Sequence, residues 1–298
     1  MVLDTSDQSP DEIFYGGAAG GGKTDTELIA CIVICETYPG ARCLYLRNTY
    51  PQLEQKPIPR SKELLLGHAG WRYNEQKHRW RHTNGSVIQF GSLPNKGAET
   101  DYLGSEWDLI CWDELTEFGD EGQYELLLTR NRVAPRNNRP GLFSKDGRRK
   151  WRPKVIASSN PGGVGHAWVC KRWNLPNNPE TVWEAPRSPA LAEANLPARR
   201  RVFIPARLED NPALLEAEPT YKAKLLDLPV NLRQIYYEGR GDVCAGMAFE
   251  DFDRAIHVCT PFPIPRWWRR WLANDPGFSE PFAWYWFAVD ESGENVYI

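Results

Sequence analysis

Residues 17–24 read Gly-Ala-Ala-Gly-Gly-Gly-Lys-Thr, a complete Gly-x-x-x-x-Gly-Lys-[Ser/Thr] phosphate-binding loop. Few motifs this short limit a fold so strongly. The glycines let the backbone turn with its N–H groups inward, where they cradle phosphate oxygens. In such a loop Lys23 reaches the β- and γ-phosphates of ATP, and the Thr24 hydroxyl ligates Mg²⁺. The candidate ATP-binding residues are therefore Gly17, Ala18, Ala19, Gly20, Gly21, Gly22, Lys23 and Thr24. The flanks agree with this. Residues 12–15 read as a short strand, and Leu28, Ile29, Ile32 and Val33 mark a largely buried helix that Pro39-Gly40 ends. That helix turns its N-terminus, and its dipole, toward the phosphates.

A chain of 298 residues has room for one large domain or two. Charged residues at 25% and aromatics at 12% exclude a disordered chain. The formal net charge is −3, so any nucleic-acid surface has to be local. The 7 cysteines form no C-x-x-C pair, which fits reduced thiols in a cytosolic compartment. The longest apolar run, residues 28–35, is too short to span a membrane. Residues 1–4 lack the basic start and apolar stretch of a secretory signal.

Beyond the loop, residues 42–47 read as a second buried strand, as a βαβ unit requires. Residues 61–66 read as helix. Residues 79–82 and 87–90, around the Asn84-Gly85 turn, form a β-hairpin. An apolar strand over 109–112 ends in Asp113-Glu114, residues 124–128 are helical, and a strand over 154–157 runs into Ser158-Ser159-Asn160-Pro161-Gly162-Gly163. Strands alternating with helices argue for an α/β fold with a mostly parallel central sheet. From about residue 165 the pattern turns helical and Pro-punctuated, with Asp210-Asn211-Pro212 and residues 221–228 among its segments. Residues 260–265 are a Pro-rich linker. Residues 283–289 and 295–298 then read as two strands around a turn at 290–293, too small for a core of their own, so the chain is expected to end inside a second domain.

An apolar strand ending in Asp-Glu puts Asp113 at the carboxyl edge of the sheet, where open α/β folds bind ligands. There Asp113 can hold Mg²⁺, and Glu114 can orient or deprotonate an attacking water. Asn160 ends a third predicted strand and can report the γ-phosphate or that water. Asn-Pro-Gly-Gly is equally compatible with a plain turn.

The order of phosphate loop, β-hairpin, strand-Asp-Glu, Ser-Asn-Pro, Asp-Asn-Pro, Pro-rich linker and Asp-Pro-Gly resembles the large terminase subunit of tailed bacteriophages. These are DNA-packaging motors with an N-terminal ATPase and a C-terminal nuclease. The resemblance implies a P-loop NTPase of the additional-strand, catalytic-glutamate type over residues 1–259, with a helical lid over roughly 165–240. A linker at 260–265 and the beginning of an RNase H-like nuclease at 266–298 would follow. On the matching positions, Lys23 resembles the phosphate residue, Thr24 and Asp113 the Mg²⁺ ligands, and Glu114 the catalytic acid. Ser159 and Asn160 resemble the motif coupling hydrolysis to DNA movement, while Arg207 and residues 210–212 fall in the lid. Asp275 resembles the first nuclease aspartate, which binds Mg²⁺ or Mn²⁺. Its partner carboxylates would lie past residue 298, so this chain is expected not to cut DNA.

Two departures stand out. Relatives often carry an arginine in the loop where this chain has Ala18 and Ala19, so the catalytic cation is sought at Arg47, Arg130 or Arg132, with Arg130 favoured. Relatives also place an adenine-reading glutamine before the loop, and Gln8 matches it poorly. Residues 148–152 and 266–271 mix cations with aromatics and are the candidate DNA contacts. The implied partners are double-stranded DNA, a portal protein, a small terminase subunit and further copies of the chain in a ring, in the host cytoplasm. Two other readings stay open: a helicase-like or other P-loop ATPase without packaging, and a non-hydrolysing assembly protein that binds nucleotide.

Overall fold

In the computed structural model, β1 (Glu12–Gly17) enters the loop and α1 (Lys23–Thr37) leaves it. The structure describes residues 4–6, 8–133, 140–144, 150–241, 254–276 and 282–298. Residues 1–3, Cys244 and Gly277, on which parts of the sequence reading rested, lie outside the described residues. The chain separates into two compact units, residues 1–247 and 248–298.

In the first unit, β2 (Arg42–Arg47) is followed by α2 (Tyr50–Gln55) and α3 (Pro57–Leu64). Next come β3 (Trp71–Asn74), β4 (Arg79–His82) and β5 (Val87–Ser92). The strand β6 (Leu109–Asp113) precedes α4 (Glu121–Leu128), and β7 (Lys154–Ser159) precedes α5 (His166–Trp173). Then follow β8 (Trp183–Glu184), α6 (Pro189–Glu193) and β9 (Arg200–Ala206). The short helices α7 (Pro212–Ala217), α8 (Tyr221–Leu226) and α9 (Val230–Tyr236) complete the unit.

The strands form one sheet of 9 in the order β3-β4-β5-β2-β6-β7-β1-β9-β8. The run from β5 to β9 is parallel throughout, with antiparallel strands added at both edges. β7 lies between the loop strand β1 and the Asp-Glu strand β6, as the additional-strand reading of the sequence expects. Both faces are covered, as a parallel sheet requires. Ile13, Cys43, Tyr45 and Cys111 pack on the α1 side, while Phe14, Leu44, Ile110 and Trp112 pack on the other with Tyr124 and Trp173. A buried ion pair closes the amino end of β1: Arg172 Nε donates to Glu12 Oε2 at 2.8 Å, and its guanidinium lies 4.5 Å over the Tyr124 ring.

Several expectations are corrected. On α1, Leu28 and Ile32 are buried as expected, but Ile29 is 46% exposed and Val33 half-buried, and Cys31, Ile34 and Cys35 complete the buried face. Residues 165–240 are not helical throughout, because β9 joins the sheet beside β1. Arg200, Arg201 and Pro205 disguise that strand. Arg201 reaches Glu12 and the Arg172 carbonyl, and β8 pairs only with Arg200 and Arg201, so Pro205 meets no ladder partner on its outer side. No helix among the described residues is long and apolar enough to cross a membrane.

In the second unit, α10 (Arg254–His257) precedes β10 (Arg269–Asp275), β11 (Ala283–Val289) and β12 (Val296–Tyr297), an antiparallel three-stranded sheet. Trp284 and Trp286 are 56% and 71% exposed.

Candidate nucleotide site

β1, β7 and β6 are neighbours and parallel, so their carboxyl ends lie side by side. This brings the loop, Asn160 and Asp113-Glu114 together, although more than a hundred residues separate the loop from Asn160. Between them opens a cavity of about 350 Å³, whose walls include Gly20, Gly21, Gly22, Lys23, Thr24, Glu114 and Asn160. Asn211, Leu214 and Tyr221, at and after the Asp-Asn-Pro motif, close one flank, and Lys56 another.

The two halves of the loop differ. Gly17 takes φ 133°, and the N–H groups of Ala18 and Ala19 donate to the carbonyls of Ala206 (2.8 Å) and Tyr236 (2.7 Å). Among the described residues, no backbone acceptor engages the N–H groups of Gly20 to Thr24, which are the donors left for an anion. Gly20 and Gly22 have φ of 79° and 73°, where only glycine is unstrained. A side chain at Gly20 would also collide with Leu208, Leu214 and Tyr221. The Asn211 side chain donates to the Gly20 carbonyl at 2.8 Å, so the segment after β9 is tied directly to the loop.

The Lys23 ammonium donates to the Ala18 carbonyl and to Asn160 Oδ1, each at 2.6 Å. Burial lowers its pKa from 10.5 to about 8, with the Glu114 and Asp113 carboxylates opposing the shift. Glu114 sits at φ 56°, a strained left-handed position for a non-glycine. Its Oε2 accepts from Ser159 Oγ (3.1 Å) and the Asn160 N–H (3.3 Å). Thr116 was not singled out by the sequence, yet its hydroxyl lies 2.6 Å from Ser159 Oγ and 3.2 Å from the Asn160 carbonyl. The loop after β6 and the loop after β7 are thereby knitted into one unit.

Asp113 is fully buried, and burial raises its pKa while Arg47 pulls it down. Arg47 Nε donates to Asp113 Oδ2 at 2.9 Å. Arg47 is therefore engaged on Asp113 and is not a free cation. The donor set suits Mg²⁺. Beside Asp113 lies Glu27, whose carboxyl oxygens are buried without a close hydrogen bond among the described residues; burial, with the Asp113 charge, pushes its pKa well up, as expected of two acids short of a cation. A Mg²⁺ that arrives on phosphates needs only one or two protein oxygens, and Thr24 and Asp113 would supply them.

The structure does not bring Arg130 to the cavity within one chain. The Arg130 carbonyl accepts from the Trp107 N–H, just before β6, at the end opposite Asp113 and roughly 20 Å from it along the strand. Arg132 pairs with Glu106 at 3.2 Å. Arg207 begins the turn whose Asp210 side chain accepts the Arg207 N–H (2.8 Å). Asp275 ends β10 opposite Ala283 and is exposed. Among the described residues, no group of three or more His, Cys, Asp or Glu side chains is disposed to hold a metal ion. Of the basic-aromatic segments, Trp151 is buried, Arg152 pairs with Asp11 (2.9 Å), and residues 148 and 149 lie outside the described residues. Arg270 donates to the carbonyls of Ile264 and Pro265.

No family model matches this chain, and no curated protein matches it. Among solved structures it is similar to the large terminase of a thermophilic bacteriophage in complex with ADP, with a TM-score of 0.57 and 18% identity over 97% of this chain and 64% of that one. The same terminase in complex with ATP-γ-S gives a TM-score of 0.55 and 17% identity over 97% and 63%. The chain thus spans less than two-thirds of the length of the protein it matches. At this identity the likeness is one of fold, and the fold of this chain is that of the matched part of a phage large terminase.

Proposed function

We propose that this chain is an ATP-driven, Mg²⁺-dependent motor subunit that moves double-stranded DNA, the ATPase part of a phage terminase. One observation carries the reading: Lys23, Thr24, Glu114 and Asn160, from three separate loops, line a single cavity of about 350 Å³. Gly20 to Thr24 and Lys23 bind the phosphates. Thr24 and Asp113 would hold Mg²⁺, which would supply positive charge to the β- and γ-phosphates. Glu114, aimed by Ser159 and the Asn160 N–H, takes the proton of the attacking water. Asn160 shares its side-chain oxygen with Lys23, so the arrival or loss of the third phosphate shifts it. Movement then passes through Gly162, whose N–H donates to His166 Nδ1 at 3.0 Å, into α5. It also passes through Asn211 on Gly20 into α7 and α8.

For DNA, the outward face of β3 and β4 suits a phosphate backbone. Arg72 and Arg81 stand directly opposite each other, with Arg79 diagonal to Arg72. Facing like charges destabilise a strand pair unless an anion lies over them. The partners of such a motor, a portal protein and a small terminase subunit, belong to the same proposal.

The test is steady-state ATP turnover with Mg²⁺ by the wild type, Glu114→Gln and Lys23→Ala. The reading expects turnover in the wild type, nucleotide binding without turnover in Glu114→Gln, and neither in Lys23→Ala. Binding without hydrolysis by the wild type would mark a nucleotide-dependent assembly protein instead.

A further inference from the structure

Lys56 joins α2 to α3 and lines the same cavity as Lys23, Glu114 and Asn160. Its side chain is exposed, and among the described residues no carboxylate pairs with it. Its place is nonetheless set by the structure around it. The Arg60 N–H donates to the Lys56 carbonyl at 3.0 Å. Arg60 also grips Asp25 with two hydrogen bonds, Nε to Oδ1 at 2.9 Å and Nη2 to Oδ2 at 2.8 Å. Asp25 follows Thr24 in the first turn of α1 and itself lines the cavity. On the other side of α3, Trp80 Nε1 donates to Ser61 Oγ at 2.9 Å, which ties the helix to β4. On the near side, the Thr49 N–H donates to Gln52 Oε1 at 3.0 Å, which caps α2. The backbone of Lys56 is therefore held relative to the phosphate loop, and only its own stem is free to move.

Two ammonium groups facing one cavity repel each other. A ligand bearing several negative charges removes that repulsion, and triphosphate is such a ligand. The loop supplies no second cation. Ala18 is buried with its N–H bonded to Ala206, Arg47 is engaged on Asp113, and Arg130 is at the far end of β6.

We propose that Lys56 is a catalytic residue whose ammonium contacts the third phosphate of bound ATP and stabilises the charge that develops there during hydrolysis. This rests on the ATPase reading above. In that step a water oxygen attacks the γ-phosphorus and its proton passes to the Glu114 carboxylate. The bond from the γ-phosphorus to the bridging oxygen breaks, and its electron pair leaves on ADP. Lys56 lies against the equatorial oxygens as negative charge spreads over them.

The test compares Lys56→Gln and Lys56→Arg with the wild type in the full chain, by ATP turnover and by the affinities for ADP and ATPγS. Lys56→Gln should lose about 100-fold in kcat. It should lose about 10-fold in ATPγS affinity, while ADP affinity stays within about 3-fold. Lys56→Arg should recover most of both. Turnover by Lys56→Gln within about 3-fold of an active wild type overturns the assignment, as does an equal loss of ADP and ATPγS affinity, which a merely structural role would give. A wild type whose phosphate release matches that of Lys23→Ala overturns the ATPase reading, and this proposal with it.

Discussion

Lys23 Nζ donates to Asn160 Oδ1 at 2.6 Å, joining the phosphate loop to the strand end that lies next to it in the sheet. The loop lysine thus rests on the residue assigned to sense the third phosphate. On the proposed reading, ATP competes with Asn160 for that ammonium, which would make the asparagine responsive to the ligand.

Asn160→Ala should therefore uncouple sensing from binding. Turnover is expected to fall by about 10- to 100-fold, with ADP affinity changed by less than about 3-fold. Kinetics and calorimetry on the same preparation check this. A matching loss of ADP affinity would make Asn160 a binding residue.

The state of Lys23 predicts a proton linkage. In the folded chain its pKa is lowered to about 8, against 10.5 for a free lysine, with burial the first cause. Between those values the unfolded chain holds the proton that the folded chain has released, so this group makes stability rise with pH across that window. Nucleotide binding has the opposite sense, because phosphate wants the ammonium. Above about pH 8 affinity should fall, at most about 10-fold per pH unit, with proton uptake on binding. Calorimetry at about pH 8.5–9 in two buffers of different ionisation enthalpy measures the uptake, and a binding enthalpy that does not depend on the buffer would overturn the linkage.

The Glu12–Arg172 pair predicts a large stability effect far from the cavity. Arg172→Met leaves a fully buried carboxylate without its main partner and also removes the cation over Tyr124. The loss should be about 3–5 kcal/mol in urea unfolding. A change under about 1 kcal/mol would mean that Arg201 and Arg199, also near Glu12, suffice to hold it.

The β3–β4 face predicts a salt signature. Replacing Arg72 and Arg81 together by Gln should weaken duplex binding alike for unrelated sequences. It should reduce the slope of log K against log salt by about 2. Fluorescence titrations at several salt concentrations measure it. An unchanged slope assigns these arginines to protecting an edge of the sheet.

Much of the site was legible in the chain because it is local. The loop, the strand before it and the helix after it form one continuous stretch, and Asp113-Glu114 directly ends its strand. Asn160 read equally as a turn until β7 took its place between β1 and β6. β9 was missed for the converse reason: its arginines and Pro205 look unfit for a sheet, and they are accommodated only because Glu12 is nearby and the outer side of Pro205 has no ladder partner. Arg47, Arg130 and Arg132 were all candidates for a free cation on paper, with Arg130 favoured, since a sequence carries no information on which carboxylate an arginine will meet.

By itself the sequence determined the phosphate loop, the Asp-Glu strand end, the hairpin and the alternation that makes a mostly parallel sheet. These depend on backbone preference and periodicity within a dozen residues. Only the tertiary structure decided that Lys23 rests on Asn160, that Arg47 covers Asp113, and that Lys56 shares the cavity. Each of these joins residues far apart in the chain, and their meeting is set by strand order and by the packing of helices on the sheet.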